Sequence, residues 1–240
     1  MPRDVVIDPA VARKVSRTLR AWFRRHGRDL PWRRTRDPYR VLVSELMLQQ
    51  TQVSRVVDFY ERFLQRFPTL ETVAQAPRGQ VMERWEGLGY YARARNLHAL
   101  ARVVRDQHQG AIPDQVPALR ALPGVGPYTA GAVASFAYER PAPLVDTNVA
   151  RVLSRLFAPQ LKPKRARDLS QLWRIAASIL PRTGKAAWAH NQALMELGAM
   201  VCTARVAHCA RCPVRRSCVS AKPPTASPRR TTSPSTGRTQ

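Results

Sequence analysis

Residues 122–148 read LPGVGPYTAGAVASFAYERPAPLVDTN, and this stretch decides the fold that the sequence predicts. Gly124 and Gly126 lie one residue apart and permit the positive φ angles of a tight hairpin. Pro127 suits the first position of the helix that follows. Small apolar residues recur in that helix at intervals of three and four, which allows another helix to pack closely against it. We therefore predict a short helix, a hairpin over residues 123–127 and a second helix.

The hairpin also predicts a binding site for an anion. The backbone N–H groups of Gly124, Val125 and Gly126 lie at a helix N-terminus, where they attract negative charge. In a strongly basic chain the favoured anion is a DNA phosphate; a turn that joins two helices and binds nothing is the alternative. Asp146 follows near the end of the same stretch. An acid there can lie close to the sugar of the nucleotide whose backbone is held.

The charge of the chain indicates a polyanionic partner. Its 240 residues contain 40 Lys and Arg but 16 Asp and Glu, and the formal net charge of +24 is spread along the sequence. An anionic membrane surface is the rival partner, but the sequence has no long apolar run, signal-peptide core or strongly segregated amphipathic helix. We therefore expect nucleic acid as the partner, no membrane contact, and an intracellular, cytoplasmic and nucleoid-associated protein.

Hydrophobic periodicity predicts an all-α protein, because apolar residues recur at helical spacing and no stretch alternates as a strand does. Leu30-Pro31-Trp32 interrupts the pattern and is predicted to be extended because of its proline. Residues 1–10 are expected to be loosely ordered. Residues 222–240 are expected to form a disordered basic tail, since Ser, Thr, Pro and Arg cannot build a core. The predicted helices cover 11–25, a segment from 38, 54–67, 69–76, 78–86, 92–108, a segment from 114, one from 127, 146–157, 166–180 and 185–201.

Glu45 lies in the middle of an apolar helix. Its neighbours three and four residues away include Val41, Leu42 and Leu48. An acid on an apolar face loses hydration, which raises its pKa and enables it to donate a proton near neutral pH. The alternative is a helix acid that reaches solvent or pairs with one of the many arginines.

Amide and aromatic side chains mark two further turns. Gln49 and Gln50 stand at the end of the same helix, where an amide can enter a DNA base stack or cap the turn. Tyr90 and Tyr91 follow a glycine-rich turn beside arginines, a combination suited to stacking on bases, although buried tyrosines are the ordinary alternative. Trp32 also has arginine neighbours, and we favour core packing for it over contact with a base.

The four cysteines indicate a metal site near the C-terminus. Cys202, Cys209, Cys212 and Cys218 follow the spacing C-x6-C-x2-C-x5-C. An intracellular DNA-binding protein is not expected to contain disulfides, so clustered thiols favour a metal. Four thiolates hold either a tetrahedral zinc ion or a [4Fe–4S] cluster, and the spacing alone leaves both open.

Five motifs lead up to these cysteines, and the last of them ends in Cys202: SELMLQQTQV, GLGYYARARNLH, LPGVGPYTAGAV, VDTNVARVLSR and NQALMELGAMVC. Together they closely resemble the adenine DNA glycosylases of the MutY type, which belong to the helix-hairpin-helix superfamily that also contains endonuclease III. The resemblance implies a two-lobed, all-α DNA glycosylase fold with DNA and the flipped base between the lobes. One lobe would cover residues 32–140 with the hairpin. The other would join residues 11–31 to residues 141–221 around a [4Fe–4S] cluster.

The resemblance implies a role for each matching residue. Glu45 matches the acid that protonates N7 of a flipped-out adenine, and Asp146 matches the carboxylate that faces the oxocarbenium-like sugar. Tyr128 and Asn148 match residues that hydrogen-bond within this site. The other matches are the residues that wedge into the base stack, Gln50 and Tyr90, and those around the adenine pocket: Arg28, Leu30, Trp32, Arg33 and Gln192.

The implied activity is hydrolysis of the N-glycosidic bond of adenine mispaired with guanine or 8-oxoguanine in double-stranded DNA, by a monomeric protein. Tyr128 stands where enzymes of the endonuclease III type carry a lysine that forms a Schiff base, so a monofunctional glycosylase is implied. Thymine or uracil mismatch glycosylases of the same superfamily are the alternative within this class. A non-catalytic helix-hairpin-helix DNA-binding protein is the alternative outside it, although such a module has no need for two carboxylates near phosphates.

The sequence departs from the family pattern at two points. Thr147 stands where many adenine glycosylases have glycine. The sequence also ends without the C-terminal domain that the family uses to recognise 8-oxoguanine opposite the adenine. From the sequence we therefore expect weaker discrimination between 8-oxoguanine and guanine than in a full-length relative.

Overall fold

The computed structural model describes residues 5–221, so the predicted basic tail and the first four residues lie outside the described part. The first helix, α1, begins at Pro9, two residues before its predicted start. Asp8 causes this earlier start, because its side chain accepts a hydrogen bond from the backbone N of Ala10 at 2.6 Å and thereby caps the helix. Order therefore extends further towards the N-terminus than the sequence predicted.

The all-α prediction is confirmed, since residues 5–221 contain no β-strand beyond one isolated bridge between Cys202 and Ala207. In the same range, no helix is both long and apolar enough to span a membrane. The α-helices are α1 (Pro9–His26), α2 (Pro38–Leu48), α3 (Val53–Arg66), α4 (Leu70–Gln75), α5 (Arg78–Glu83), α6 (Ala92–Gln107), α7 (Val116–Arg120), α8 (Pro127–Phe136), α9 (Thr147–Phe157), α10 (Ala166–Ser178) and α11 (Gly184–Met200).

The segment between α1 and α2 differs from its prediction. Leu30 is extended, with φ −120° and ψ 140°, but Pro31–Arg33 form one turn of 3-10 helix. Proline disfavours a helical conformation for the residue before it, whereas its own fixed φ of about −65° suits the first turn of a helix. The extended prediction was therefore correct for Leu30 and wrong for Pro31 and Trp32. The tight turn buries the Trp32 side chain, whose ring meets Tyr60 edge to face at 5.5 Å between centroids.

Helix α2 lies at the centre of the packing. It contacts α3, α6 and α8, and every residue from Val41 to Met47 is buried, Glu45 included. Helix α11 packs against α1, α8 and α9 and so joins the first helix to the C-terminal part of the chain. Burial of apolar side chains along both helices holds the functional side chains between them.

Two glycines allow separate segments of the backbone to approach each other closely near the N-terminus of α9. A Cβ at Gly131 of α8 would collide with the carbonyl oxygen of Pro143, and one at Gly198 of α11 would lie 2.7 Å from the Asn148 Cβ. Real Cβ atoms do not approach so closely, so both positions require glycine. The N-terminus of α9, which carries Asp146 and Asn148, is therefore seated directly on the backbone of α11.

Candidate active site

The predicted hairpin connects α7 to α8, and Pro127 is the first residue of α8 as expected. Gly124 has φ +76° and lies against the side chain of Asn96, where no Cβ would fit. Gly126 differs from the prediction, because it is an extended N-cap with φ −83° and ψ 176°. Both glycines are exposed while Val125 is buried. The hairpin thus presents its backbone to solvent and is anchored by one apolar side chain.

A cavity of about 840 Å³ opens beside the hairpin, between α2, α8, α9 and α11. Among the predicted catalytic and DNA-binding residues, Val125 and Tyr90 do not line it. Thr147, the departure from the family pattern, is at its rim as the first residue of α9. The structure therefore brings together residues that are far apart in sequence: Arg28, Leu30, Trp32, Arg33, Glu45, Gln50, Gly124, Gly126, Tyr128, Asp146, Asn148 and Gln192.

Glu45 is 3% exposed at the inner end of this cavity. The Tyr128 hydroxyl donates a hydrogen bond to Glu45 Oε2 at 2.8 Å. Burial raises the pKa of Glu45 to about 7; the hydrogen bond from Tyr128 opposes the increase and the nearby Asp146 adds to it. Burial and the two carboxylates raise the pKa of Tyr128 well above its ordinary value, so its hydroxyl remains a donor.

Asp146 caps the N-terminus of α9. Its Oδ1 accepts from the backbone N of Val149 at 2.6 Å and its Oδ2 from Asn148 Nδ2 at 3.0 Å. Burial raises the pKa of Asp146, while these two hydrogen bonds favour its ionised form. Arg151 donates to Asn148 Oδ1 at 2.8 Å, which orients the amide with its N–H₂ group towards Asp146. The carboxylate is thus held by donors in a fixed position.

Glu196 of α11 is a site residue that the sequence analysis missed. Its carboxylate is fully buried and accepts from Arg28 Nε at 2.8 Å and from Arg33 Nη2 at 2.9 Å. Burial alone would raise the pKa of Glu196, but these hydrogen bonds outweigh it and hold the pKa at about 2. Arg33 Nε also donates to Gln192 Oε1 at 2.8 Å. Glu196 lies among apolar residues of a helix, as Glu45 does. The same sequence signal that identified Glu45 could therefore have identified Glu196.

Gln50 and Tyr90 occupy turns with unusual backbone geometry. Gln50 has φ +58° and Tyr90 has φ +50°, a region that non-glycine residues rarely adopt and that is concentrated at functional sites. Tyr90 is 56% exposed and Tyr91 is 40% exposed. The alternative that these tyrosines are buried is therefore wrong.

The four cysteines are free thiols, with Cys209 exposed and the others half-buried. Burial raises the pKa of Cys212 to about 11, and the other three thiols are close enough to add to this increase. Arg155 Nη1 lies 3.4 Å from Cys202 Sγ. Within residues 5–221, no three His, Cys, Asp or Glu side chains form a group that could hold a metal ion.

The pKa of Glu45 predicts how stability depends on pH. Because the folded-state pKa of about 7 exceeds the ordinary 4.5, the folded state retains this proton more tightly, and the free energy of unfolding falls as pH rises between these values. This loss corresponds to on the order of 3 kcal/mol. We expect Glu45→Gln to be more stable than wild type above pH ~7 and similar to it below pH ~4.5.

Denaturant unfolding at several pH values measures this difference. Glu83→Gln is the matched control, because Glu83 is an exposed helix acid outside the cavity. Parallel pH profiles of wild type and Glu45→Gln would contradict a raised pKa.

Comparison with known proteins identifies the class to which this hairpin and cavity belong. Residues 43–175 match a family described as HhH-GPD superfamily base excision DNA repair protein. The match covers more than half of the chain and includes Glu45, the hairpin and Asp146. The chain belongs to this family, which confirms both the predicted fold class and the resemblance on which it rested.

Similar proteins point to two activities within the family. The adenine DNA glycosylase of Rattus norvegicus is 42% identical over 228 residues, which is 90% of this chain but 43% of the rat protein. The chain spans about half the length of several curated relatives that it matches. A thermostable thymine-DNA glycosylase structure is 30% identical with a TM-score of 0.80, covering 88% of this chain and 97% of that chain. A trapped endonuclease III–DNA intermediate, 24% identical with a TM-score of 0.74 over 90% of this chain and 98% of that chain, shares the fold.

Proposed function

We propose that this protein removes adenine mispaired with guanine or 8-oxoguanine from double-stranded DNA by hydrolysing the N-glycosidic bond of the flipped-out nucleotide. One observation carries this proposal. Two carboxylates, the buried Glu45 and the half-buried Asp146, line one cavity in different environments. Burial raises the pKa of Glu45 to about 7. Burial also raises the pKa of Asp146, but two N–H donors oppose this increase and favour its ionised form. When two acids have unlike surroundings, the one with the raised pKa can act as a general acid and the ionised one can stabilise positive charge.

Glu45 is proposed to protonate N7 of the adenine. Tyr128 already occupies Oε2 of Glu45, so Oε1 is the oxygen that carries the proton towards the base. Protonation withdraws electrons from the bond between N9 and the sugar, and adenine leaves as a neutral molecule. A carboxyl group with a pKa near the working pH is both protonated often enough and acidic enough for this step.

Asp146 is proposed to stabilise the positive charge that develops on the sugar as the base leaves. Its position is fixed by the N–H donors of Asn148 and Val149. A preorganised carboxylate requires no reorientation when the charge appears, which is the main advantage of such sites over water. A water molecule then adds to the cationic sugar and gives its surplus proton to the Glu45 carboxylate, which leaves an abasic site and restores the acid. Tyr128 supplies no amine, so no Schiff base forms and the protein is monofunctional.

The side of the cavity around Glu196, called the wall below, is proposed to bind the adenine base. Arg28, Arg33 and Gln192 are linked to Glu196 in one hydrogen-bonded network, and Leu30 and Trp32 add apolar surface. Glu196 offsets the charge of one of the two arginines, so the wall offers polar groups with a single net positive charge. A cavity of about 840 Å³ is within the range of small-ligand sites.

The hairpin and the two turns are proposed to hold the DNA. The exposed backbone at Gly124 and Gly126 would bind a phosphate, while Gln50 and Tyr90 would enter the base stack that the adenine leaves. Excess positive charge supports the phosphate contacts. We further propose a monomer with lobes at 32–140 and at 11–31 with 141–221, and DNA between them.

The four cysteines are proposed to hold a [4Fe–4S] cluster. The donor set fits this group, because four free thiols lie close enough together to influence one another and thiolates are the usual ligands of such clusters. When bound, the cluster would supply a structural cross-link between the loop and α9, where Arg155 contacts Cys202.

We therefore expect the purified protein to be brown and to contain iron and acid-labile sulfide. Cys202→Ser is expected to lose the colour and to lower the free energy of unfolding by more than about 3 kcal/mol, since loss of a metal ligand is among the most destabilising changes. Metal analysis and thermal unfolding test this, with Ser220→Ala as a control at an exposed position of the same segment. Stoichiometric zinc without sulfide would contradict the cluster.

Single-turnover base release from matched duplexes tests the proposed activity. The panel contains adenine opposite guanine, 8-oxoguanine and thymine, together with a thymine–guanine mismatch. We expect adenine release from the first two duplexes, strand cleavage only after alkali, and no covalent product with borohydride.

The same panel separates the alternative activities. Preferential release of thymine would favour the second candidate, which the similarity to the thymine-DNA glycosylase structure supports. Tight binding without release of any base would indicate a non-catalytic DNA-binding protein.

A further inference from the structure

Arg93 stands between the two turns that carry Gln50 and Tyr90. It lies in the first turn of α6 and is 5% exposed. None of the ion pairs formed within residues 5–221 includes it. A buried cation without a carboxylate partner is costly unless other polar groups surround it. The groups that surround Arg93 are backbone carbonyls from both turns.

One side of the guanidinium binds the end of α2. Arg93 Nη1 donates to the carbonyl oxygens of Leu46 at 2.9 Å, Met47 at 2.6 Å and Gln49 at 2.6 Å. The last carbonyls of a helix have no partner within the helix and carry the negative end of its dipole. Arg93 therefore satisfies these carbonyls and fixes the residue immediately before Gln50.

The other side binds the second turn. Arg93 Nη2 donates to the carbonyl oxygen of Gly89 at 2.9 Å, and Nε lies 3.4 Å from the carbonyl oxygen of Tyr90. The guanidinium carbon is 5.3 Å from the centre of the Tyr90 ring and 5.5 Å from that of Trp85. Aromatic faces at this distance attract a cation. Both the backbone and the ring of Tyr90 are thus placed by Arg93.

We propose, on the basis of the proposed function, that Arg93 is a positioning residue that holds the Gln50 turn and the Tyr90 turn at one fixed separation, so that both side chains enter the base stack together. Positive φ angles at non-glycine residues persist only where the surroundings enforce them. A planar guanidinium has five N–H donors in a rigid fork and so reaches both turns at once. A lysine ammonium has the same charge but no such fork.

Arg93→Lys tests this proposal by comparing two substrates. In one, adenine is paired with guanine and must be displaced from the stack; in the other it lies opposite an abasic site, where less displacement is needed. We expect the single-turnover rate on the paired substrate to fall by about 10- to 100-fold, the effect of losing charge-assisted hydrogen bonds. The rate on the second substrate is expected to fall much less. The fluorescence of 2-aminopurine at the adenine position should report less displacement.

Val104→Ala is the matched control, because Val104 is fully buried in the same helix, about three helical turns beyond Arg93. It is expected to lower thermal stability and leave the ratio of the two rates unchanged. Equal losses on both substrates with Arg93→Lys, or no loss on either, would overturn the proposal. If the wild type releases no adenine, the proposed function fails, and the 2-aminopurine signal of wild type and Arg93→Lys still decides the role of Arg93.

A double-mutant cycle tests the same proposal should Arg93→Lys not fold. Gln50→Ala and Tyr90→Ala are measured singly and together, with 2-aminopurine displacement as the readout. Strong coupling between the two substitutions is expected if the turns act as one unit. Additive effects would overturn the proposal, since two independently placed side chains need no shared support.

Discussion

Replacement of Glu45 by glutamine is expected to abolish adenine release while duplex binding stays near the wild-type level. The amide keeps the shape of the side chain and still accepts the hydrogen bond from Tyr128, but it has no acidic proton to give. Loss of a general acid costs about 10²- to 10⁴-fold in rate. Single-turnover release from an adenine–guanine duplex measures this effect, and Glu83→Gln should behave as wild type.

The pH dependence of the wild-type rate provides a second measurement of the same role. The rate should be highest below pH ~7, where Glu45 is protonated, and should fall as pH rises through the pKa of about 7. Any residual rate of Glu45→Gln should lack this fall. A wild-type rate in Glu45→Gln would show that another group donates the proton.

Replacement of Asp146 by asparagine is expected to reduce the rate by about 10²- to 10³-fold, the usual effect of removing one preorganised electrostatic group. Asparagine is as good a helix N-cap as aspartate, so the N–H of Val149 keeps its partner and stability should change little. The neutral amide, however, cannot stabilise a cationic sugar as a carboxylate does. Single-turnover kinetics and thermal unfolding, measured together, separate these two effects.

Asp8→Asn makes the same chemical change at another helix N-cap. Asp8 caps α1 and does not line the cavity, so this variant should keep the wild-type rate. If Asp146→Asn were equally active, the assignment of Asp146 to the reacting sugar would be wrong.

Local sequence patterns predicted those parts of the protein that local physics decides. The buried acid Glu45 followed from the apolar residues three and four positions away, and the start of α8 at Pro127 followed from the position of that proline. The starts of the α-helices were predicted close to their observed positions for the same reason. Gly126 was the exception within the hairpin, because its conformation is set by its role as N-cap and not by the freedom of glycine.

Local sequence patterns could not predict contacts between segments that are distant in the sequence. Arg28 and Glu196 are 168 residues apart, and no periodicity relates them. Arg93 was one arginine among many, and only the meeting of two turns shows that it is buried. The exposure of Tyr90 and Tyr91 depends likewise on which helices pack nearby, so a choice between core and surface was not available from the sequence.

The wall that α11 contributes to the cavity has a consequence for protein synthesis. A ribosome releases Arg28, Arg33 and Glu45 long before Gln192 and Glu196 exist. Until α11 has emerged, the two arginines lack their carboxylate partner and one side of the cavity is open. On the proposed function, base excision therefore requires α11 to have emerged, so a nascent polypeptide that contains the hairpin and Glu45 but not α11 is expected to be inactive.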